Sequence, residues 1–160
     1  TSGTVAAGYD TIKSKVNLAK PEAKVTTPIT SAIKALRKLN FKKISIFTPY
    51  TKTINDSIVA YFEERNITVN SLTYFDIDSD LDIGKVDENY LFDVLSKIDL
   101  KDTDALFVSC TALPVLSILD KLEKKINKTV LSSNQTLIWD SLDQINYKKK
   151  IEGFGKLFSI

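Results

Sequence analysis

Apolar positions along this chain follow two rhythms in turn. After Thr27–Pro28, Ile29, Ile33 and Leu36 recur at helical spacing with Ala32 alongside. Thr27 suits a helix cap, Pro28 the first helical position and Asn40 the closing residue after Leu39. Lys43–Thr48, KISIFT, then reads as a strand rich in β-branched and aromatic residues. A second helix starts at Thr53 or Asn55, with Ile54, Ile58 and Tyr61 on its apolar face and Val59 and Phe62 widening it. Ile67–Phe75 is the next strand, Asp76–Gly84 an acidic loop, and Asp87–Ile98 a helix. Asp99–Asp104 is a polar connection into the short buried strand Ala105–Val108. After Pro114, Val115, Leu119, Leu122 and Ile126 mark another helix. Thr129–Leu131 is a short strand, and Ser132–Gln135 can cap a helix carrying Leu137, Ile138, Leu142 and Ile145. Ahead of all this, Tyr9–Leu18 has helical spacing and Pro21 stops it.

Helix and strand alternate, so the expected fold is α/β: a three-layer sandwich around a mostly parallel, doubly wound sheet with right-handed crossovers. Three polar clusters, Thr48–Thr51, Ser109–Thr111 and Ser132–Gln135, each follow a strand and precede a helix. Such crossovers place all three at one sheet edge, where open parallel sheets bind ligands.

Composition narrows the chemistry. The chain has one cysteine and no histidine, which excludes an intrachain disulfide, a multi-cysteine metal site and histidine-assisted nucleophiles within it. Twenty-two basic against 20 acidic residues leave a net charge of +2, so no nucleic-acid partner is expected. The acidic loop fails the calcium-loop register, because Gly84 is misplaced and no terminal Glu follows at the required spacing. No GxGxxG or Walker-type loop is present, so no cofactor and no metal are expected. No apolar run approaches the ~20 residues that span a bilayer. Thr1 does not open a signal segment, and the expected location is cytoplasmic, with no membrane partner.

Cys110 has two readings. It is either a small inert core residue or a thiol beside exposed N–H groups at the start of the next helix, which favour a thiolate or hold a substrate carboxylate. Tyr50 is either a packed ring or a neutral donor to that anion. Thr1–Gly8, TSGTVAAG, is either a frayed end or part of an anion pocket. The simpler reading of Asn134 and Gln135 is as helix caps.

The ordered motifs TSGTVAAG (1–8), TTPITSAIKAL (26–36), ISIFTPYT (44–51), FVSCTALP (107–114), VLSSNQTLIWDSL (130–142) and IEGFGKLF (151–158) resemble the Asp/Glu racemase superfamily. The resembling branch contains maleate cis-trans isomerases, ectoine-utilisation proteins and arylmalonate decarboxylases. The resemblance implies two similar lobes enclosing a small carboxylate or dicarboxylate, with this chain chiefly the second lobe. On that reading residues 1–25 end a missing N-terminal lobe, 26–145 form the second lobe, and the tail 146–160 packs on the other lobe or a partner. It also implies Cys110 as the second catalytic cysteine, and Thr1, Ser2, Tyr50 and Thr111 as substrate-binding residues. A first cysteine would stand immediately before Thr1. The family asparagine between the tyrosine and the second cysteine has no secure match, and the acidic loop Asp76–Asp82 stands there instead. The implied chemistry is cofactor-independent isomerisation of a small dicarboxylate, maleate to fumarate first among the options. Aspartate or glutamate racemisation, arylmalonate-type decarboxylation and non-catalytic carboxylate binding are the alternatives. A homo-oligomer is compatible with this reading, and the chain alone is expected to be inactive or impaired.

Overall fold

The computed structural model describes residues 1–160. Strands β1 (Lys43–Thr48), β2 (Thr68–Tyr74), β3 (Ala105–Val108) and β4 (Thr129–Ser132) form one sheet in the order β2-β1-β3-β4, with every pair parallel. Around it lie α1 (Ser2–Ala7), α2 (Tyr9–Ala19), α3 (Pro28–Lys38), α4 (Lys52–Glu63), α5 (Asp80–Ile83), α6 (Glu88–Leu95), α7 (Leu119–Ile126) and α8 (Ser133–Gln144). The tail ends in a 3-10 turn, Lys156–Ser159. The predicted α/β class is the observed one.

Every residue of β3 and β4 is buried, as is β1 after Lys43. Strands covered on both faces need such continuous apolar runs. The step from β1 to β2 runs one way, and the step from β2 to β3 runs back past β1, so right-handed crossovers put α4 and α6 on opposite faces. The aromatic contacts agree. Phe62 of α4 meets Phe107 of β3 with centroids 5.4 Å apart, whereas Lys121 of α7 sits 4.6 Å above the ring of Phe92 in α6. The chain therefore turns in opposite directions from the neighbouring strands β1 and β3, which opens a crevice at their carboxyl ends.

Local chemistry explains the element ends. The Thr27 N–H donates to Thr30 Oγ1 at 3.2 Å, and Pro28 opens α3. Asn40 takes a left-handed φ of 57° just past the helix. At α8, Ser132 and Gln135 cap reciprocally: the Gln135 N–H donates to Ser132 Oγ at 3.2 Å and the Ser132 N–H to Gln135 Oε1 at 3.3 Å.

Three expectations shift. The helix after Pro114 begins only at Leu119, because residues 111–118 turn to bring Leu113 and Val115 into the core. Helix α4 begins at Lys52 after Thr51, and Asn55 is buried in its first turns rather than capping it. The acidic loop contains the one-turn α5, with Ser79 accepting from the Asp82 N–H. The tail buries Leu157 in this lobe's core. The Gln135 side chain donates to the Phe154 carbonyl at 2.7 Å, and the Lys156 N–H donates to Glu123 at 2.8 Å. Gly155, at φ 84°, passes so close to Leu119 that an added Cβ would lie 2.3 Å from its methyl. No helix is long and apolar enough to cross a membrane.

Helices α3 and α8 are tied by one buried carboxylate. Asp140 pairs with Lys34 at 2.8 Å and accepts from Ser31 at 3.1 Å and from Thr26. Burial alone would raise its pKa, but the Lys34 ammonium and the two hydroxyls outweigh burial and hold the carboxyl below its ordinary value. A depressed carboxyl contributes stability above its unfolded pKa and loses it as pH falls through the folded value. Asp140→Ala should therefore cost about 2–3 kcal/mol at pH 7, at the low end because half-exposed Lys34 regains water. In urea titrations from pH 7 downward, the gap between wild type and variant should shrink below about pH 4, where the wild-type carboxyl itself protonates.

Candidate active site at the sheet switch point

Strand β1 runs directly into Pro49 and Tyr50, and β3 into Ser109 and Cys110. The register pairs Phe47 with Val108, and the Ser109 N–H continues the ladder to the Phe47 carbonyl at 2.8 Å. Two side chains 60 positions apart in sequence are thereby delivered to one edge. Tyr50 and Cys110 are 5% and 3% exposed and belong to the same buried cluster. The Tyr50 hydroxyl lies beside the Cys110 thiol and the Ser2 hydroxyl. Burial first, then the neighbouring thiol, raises its pKa above the ordinary phenol value, while Ser2 pulls weakly the other way. Tyr50 thus remains a neutral donor at physiological pH.

The Tyr50 turn is closed by three hydrogen bonds. The Tyr50 N–H donates to Thr48 Oγ1 at 3.2 Å, the Thr48 hydroxyl donates to Asn55 Oδ1, and the Asn55 amide donates to the Tyr50 carbonyl at 3.0 Å. The acidic loop is stitched alongside: the Phe75 N–H donates to the Thr48 carbonyl at 3.2 Å and the Ile77 N–H to the Pro49 carbonyl at 2.7 Å.

Cys110 sits on strained backbone, at φ 149°, a region that suits glycine. Ser109, just before it, has a buried hydroxyl with no hydrogen-bond partner. Other bonds hold the turn. The Cys110 N–H donates to Ser133 Oγ at 3.1 Å, and the Ala112 N–H donates to Cys110 Sγ at 3.3 Å. The donor to sulfur is a loop amide rather than a helix N-terminus, because α7 starts nine residues beyond Cys110.

Of the residues singled out from the sequence, Thr1, Ser2, Tyr50 and Cys110 converge. Thr1 Oγ1 and Ser133 Oγ are 2.6 Å apart, so Ser133 links the first residue to the Cys110 turn. The Thr1 nitrogen lies near Cys110 and Asp80. Thr111 stands apart, with its side chain exposed and its carbonyl accepting from Asn134 at 3.0 Å. The sequence pattern gives Asp80 and Asn55 no site role and marks Ser133 only as part of the Ser132–Gln135 cluster at the ligand edge. Ser133 followed a strand within a capping motif, Asp80 lay in an acidic run, and Asn55 resembled a helix start. No group of three or more His, Cys, Asp or Glu is clustered as metal ligands would be.

This geometry defines a parallel α/β lobe with a thiol and a neutral phenol at its switch point. A family model described as arylmalonate decarboxylase matches residues 10–158, and the chain belongs to that family. It is 26% identical over 138 residues to a maleate isomerase of Geobacillus stearothermophilus, a match that covers 86% of this chain and 55% of the relative. It is 24% identical to an arylmalonate decarboxylase of Bordetella bronchiseptica, covering 83% of this chain and 57% of the relative. Its fold superposes on the Nocardia farcinica maleate cis-trans isomerase with a TM-score of 0.90 at 19% identity, over 98% of this chain and 67% of that one. A Cys-to-Ser mutant of that isomerase, carrying a covalently bound succinylcysteine intermediate, superposes at 0.89 with 19% identity and the same coverage. The chain thus spans little more than half the length of the curated relatives.

Ser133→Ala should remove the acceptor for the buried Cys110 N–H. It should cost about 1–2 kcal/mol in chemical denaturation. It should also speed iodoacetamide alkylation of the single cysteine, read by intact mass, as the turn loosens.

Proposed function

We propose that the protein containing this chain is a cofactor-independent isomerase of a small cis-dicarboxylate, with maleate to fumarate as the leading reaction. The observation that carries this reading is the clustering of the Tyr50, Ser2 and Thr1 hydroxyls around the Cys110 thiol at the switch point. An unsaturated diacid needs a thiol to attack carbon and neutral donors to hold the charge that develops on the neighbouring carboxylate.

In the proposed reaction a second thiol, expected immediately before Thr1 from the family resemblance, adds as thiolate to one olefinic carbon. The π pair moves onto the adjacent carbon and its carboxylate, where Tyr50 and the two hydroxyls donate to it. The Cys110 thiol gives that carbon a proton, leaving a succinyl thioether whose central bond rotates freely. The Cys110 thiolate then takes a proton back from the same carbon, the double bond re-forms, and the carbon–sulfur bond breaks to release the trans acid. One proton is given and one taken, so the cycle closes without a cofactor. The succinylcysteine seen in a mutant of the Nocardia farcinica isomerase supports a saturated thioether of this kind.

A second reading is arylmalonate-type decarboxylation, a reaction in which one thiol suffices. There the bond to one carboxylate breaks as CO2, the electron pair remains as an enediolate, and one thiol returns a proton to carbon. The family match extends to that activity by description.

Proton NMR of maleate separates these readings. Residues 1–160 alone should turn over no maleate. The longer chain with its preceding lobe should produce fumarate and lose at least about a thousandfold in rate on Cys110→Ala, in line with removal of a residue acting in the chemical step. Turnover that survives Cys110→Ala would remove Cys110 from the reaction, and CO2 release from an arylmalonate without fumarate formation would select the second reading. Asp80 supplies a further check. Its negative charge reaches the Tyr50 phenol, so it opposes a dianion at the same rim. Asp80→Asn should lower KM for maleate about threefold to tenfold with a smaller change in kcat, as expected when a like charge near a binding site is removed.

A further inference from the structure

Asn55 is fully buried, lies outside the reacting groups and turns both ends of its amide, the oxygen and the NH2, to the Tyr50 turn. The geometry leaves no freedom in how that amide is oriented. The Tyr50 carbonyl can only accept, so the NH2 of Asn55 faces it, at 3.0 Å. Asn55 Oδ1 then faces Thr48, whose hydroxyl must donate its one proton there and keep a lone pair for the Tyr50 N–H at 3.2 Å. Each donor meets an acceptor around the ring, and the ring has one sense. Asp is nearly isosteric with Asn but would present a second oxygen to the Tyr50 carbonyl. Leu would leave the carbonyl and the Thr48 hydroxyl unpaired. The side chain is therefore specified by type rather than by size.

We infer that Asn55 is a positioning residue that acts on Cys110 through Tyr50, by fixing the backbone turn from which the Tyr50 side chain reaches the thiol. The path is short. Asn55 and Thr48 clamp both the N–H and the carbonyl of Tyr50, β1 is held to β3 by ladder bonds up to Ser109, and the Tyr50 ring and Cys110 then share one buried cluster. Fixing the backbone on both sides of Tyr50 leaves its ring only side-chain rotation. Without the clamp the Thr48–Thr51 segment keeps its proline, its helix start and the bonds from Phe75 and Ile77 to the carbonyls of Thr48 and Pro49, but nothing holds the N–H or the carbonyl of Tyr50 itself. This assignment concerns the thiol's surroundings and stands whether the parent reaction is isomerisation or decarboxylation.

The test measures iodoacetamide alkylation of Cys110 in the 160-residue chain by intact mass, so it needs no substrate and no turnover. Asn55→Asp should raise the alkylation rate about fivefold or more, as the ring swings off the thiol, and should change it less than about twofold in a Tyr50→Ala background, where no ring remains to be placed. An equal increase in both backgrounds would mean that Asn55 merely holds the fold together and would overturn the inference. So would an unchanged rate in the Tyr50 protein. If Asn55→Asp does not fold, the ring can be opened from its other side. Thr48→Val should raise the rate as Asn55→Asp does, and Thr48→Ser, which keeps the hydroxyl, should stay within about twofold of wild type. A Thr48→Ser chain as reactive as Thr48→Val would show that packing rather than the hydrogen-bonded ring holds Tyr50, and would sink the proposal. Failure of either arm leaves the maleate assay unaffected, and failure of the maleate assay leaves these rates unaffected.

Discussion

The parallel pairing of β1 with β3 is the constraint on which the rest depends. Ile44 to Phe47 pair with Ala105 to Val108, and the Ser109 N–H adds one more bond to the Phe47 carbonyl. A slip of one residue would turn Phe47 or Phe107 from one sheet face to the other, and both are fully buried. The register is thus fixed by the core. Once it is fixed, the chain leaving β1 and the chain leaving β3 must diverge to opposite faces, and a crevice opens between Tyr50 and Cys110. The same packing that stabilises the sheet locates the thiol.

Free energy is given up at that crevice and nowhere else so plainly. Cys110 holds a φ of 149°, and Ser109 buries a hydroxyl without a partner. Each costs on the order of 1–3 kcal/mol. Neighbouring bonds offset part of this: Ser133 accepts from the Cys110 N–H, and Ala112 donates to the sulfur. A thiol that served only to fill space would have no use for an extended, strained turn, since a small apolar residue on relaxed backbone would pack as well. The strain therefore weighs against the inert-core reading of Cys110, which composition alone left open.

The sequence made the architecture readable because periodicity reports burial, and burial on both sheet faces is what a parallel α/β lobe imposes. KISIFT matched β1 to the residue, and Thr27–Pro28 matched the start of α3, where the capping chemistry is local. Residues 111–118 misled for a physical reason. Leu113 and Val115 are core residues carried on a turn, so they mimic the spacing of a helix that begins only at Leu119. Asp80 and Asn55 escaped notice, and Ser133 was marked only as one of the Ser132–Gln135 cluster, because what each does depends on partners in other elements. Ser133 meets Thr1 across 132 positions, and no local pattern records that contact. Asn55 was visible as a polar residue among apolar ones, but its partners lie behind it, in the turn before the helix.

The lobe and its site rest on different kinds of support. The sheet, α3, α4, α6, α7 and α8 enclose one apolar core, and α2 contributes no buried residue to it, leaving Leu18 86% exposed. Helix α1 adds a single buried residue, Thr4. The segment carrying Thr1 and Ser2 is held by partly buried Val5 on the core and, at the site itself, by the hydroxyl pair of Thr1 and Ser133. Hydrophobic attachment is insensitive to small displacements, whereas a 2.6 Å hydroxyl contact is not. Because Ser133 also accepts the Cys110 N–H, a shift of the first residue is felt at the thiol's own backbone. The core can thus stay intact while the site tightens or loosens.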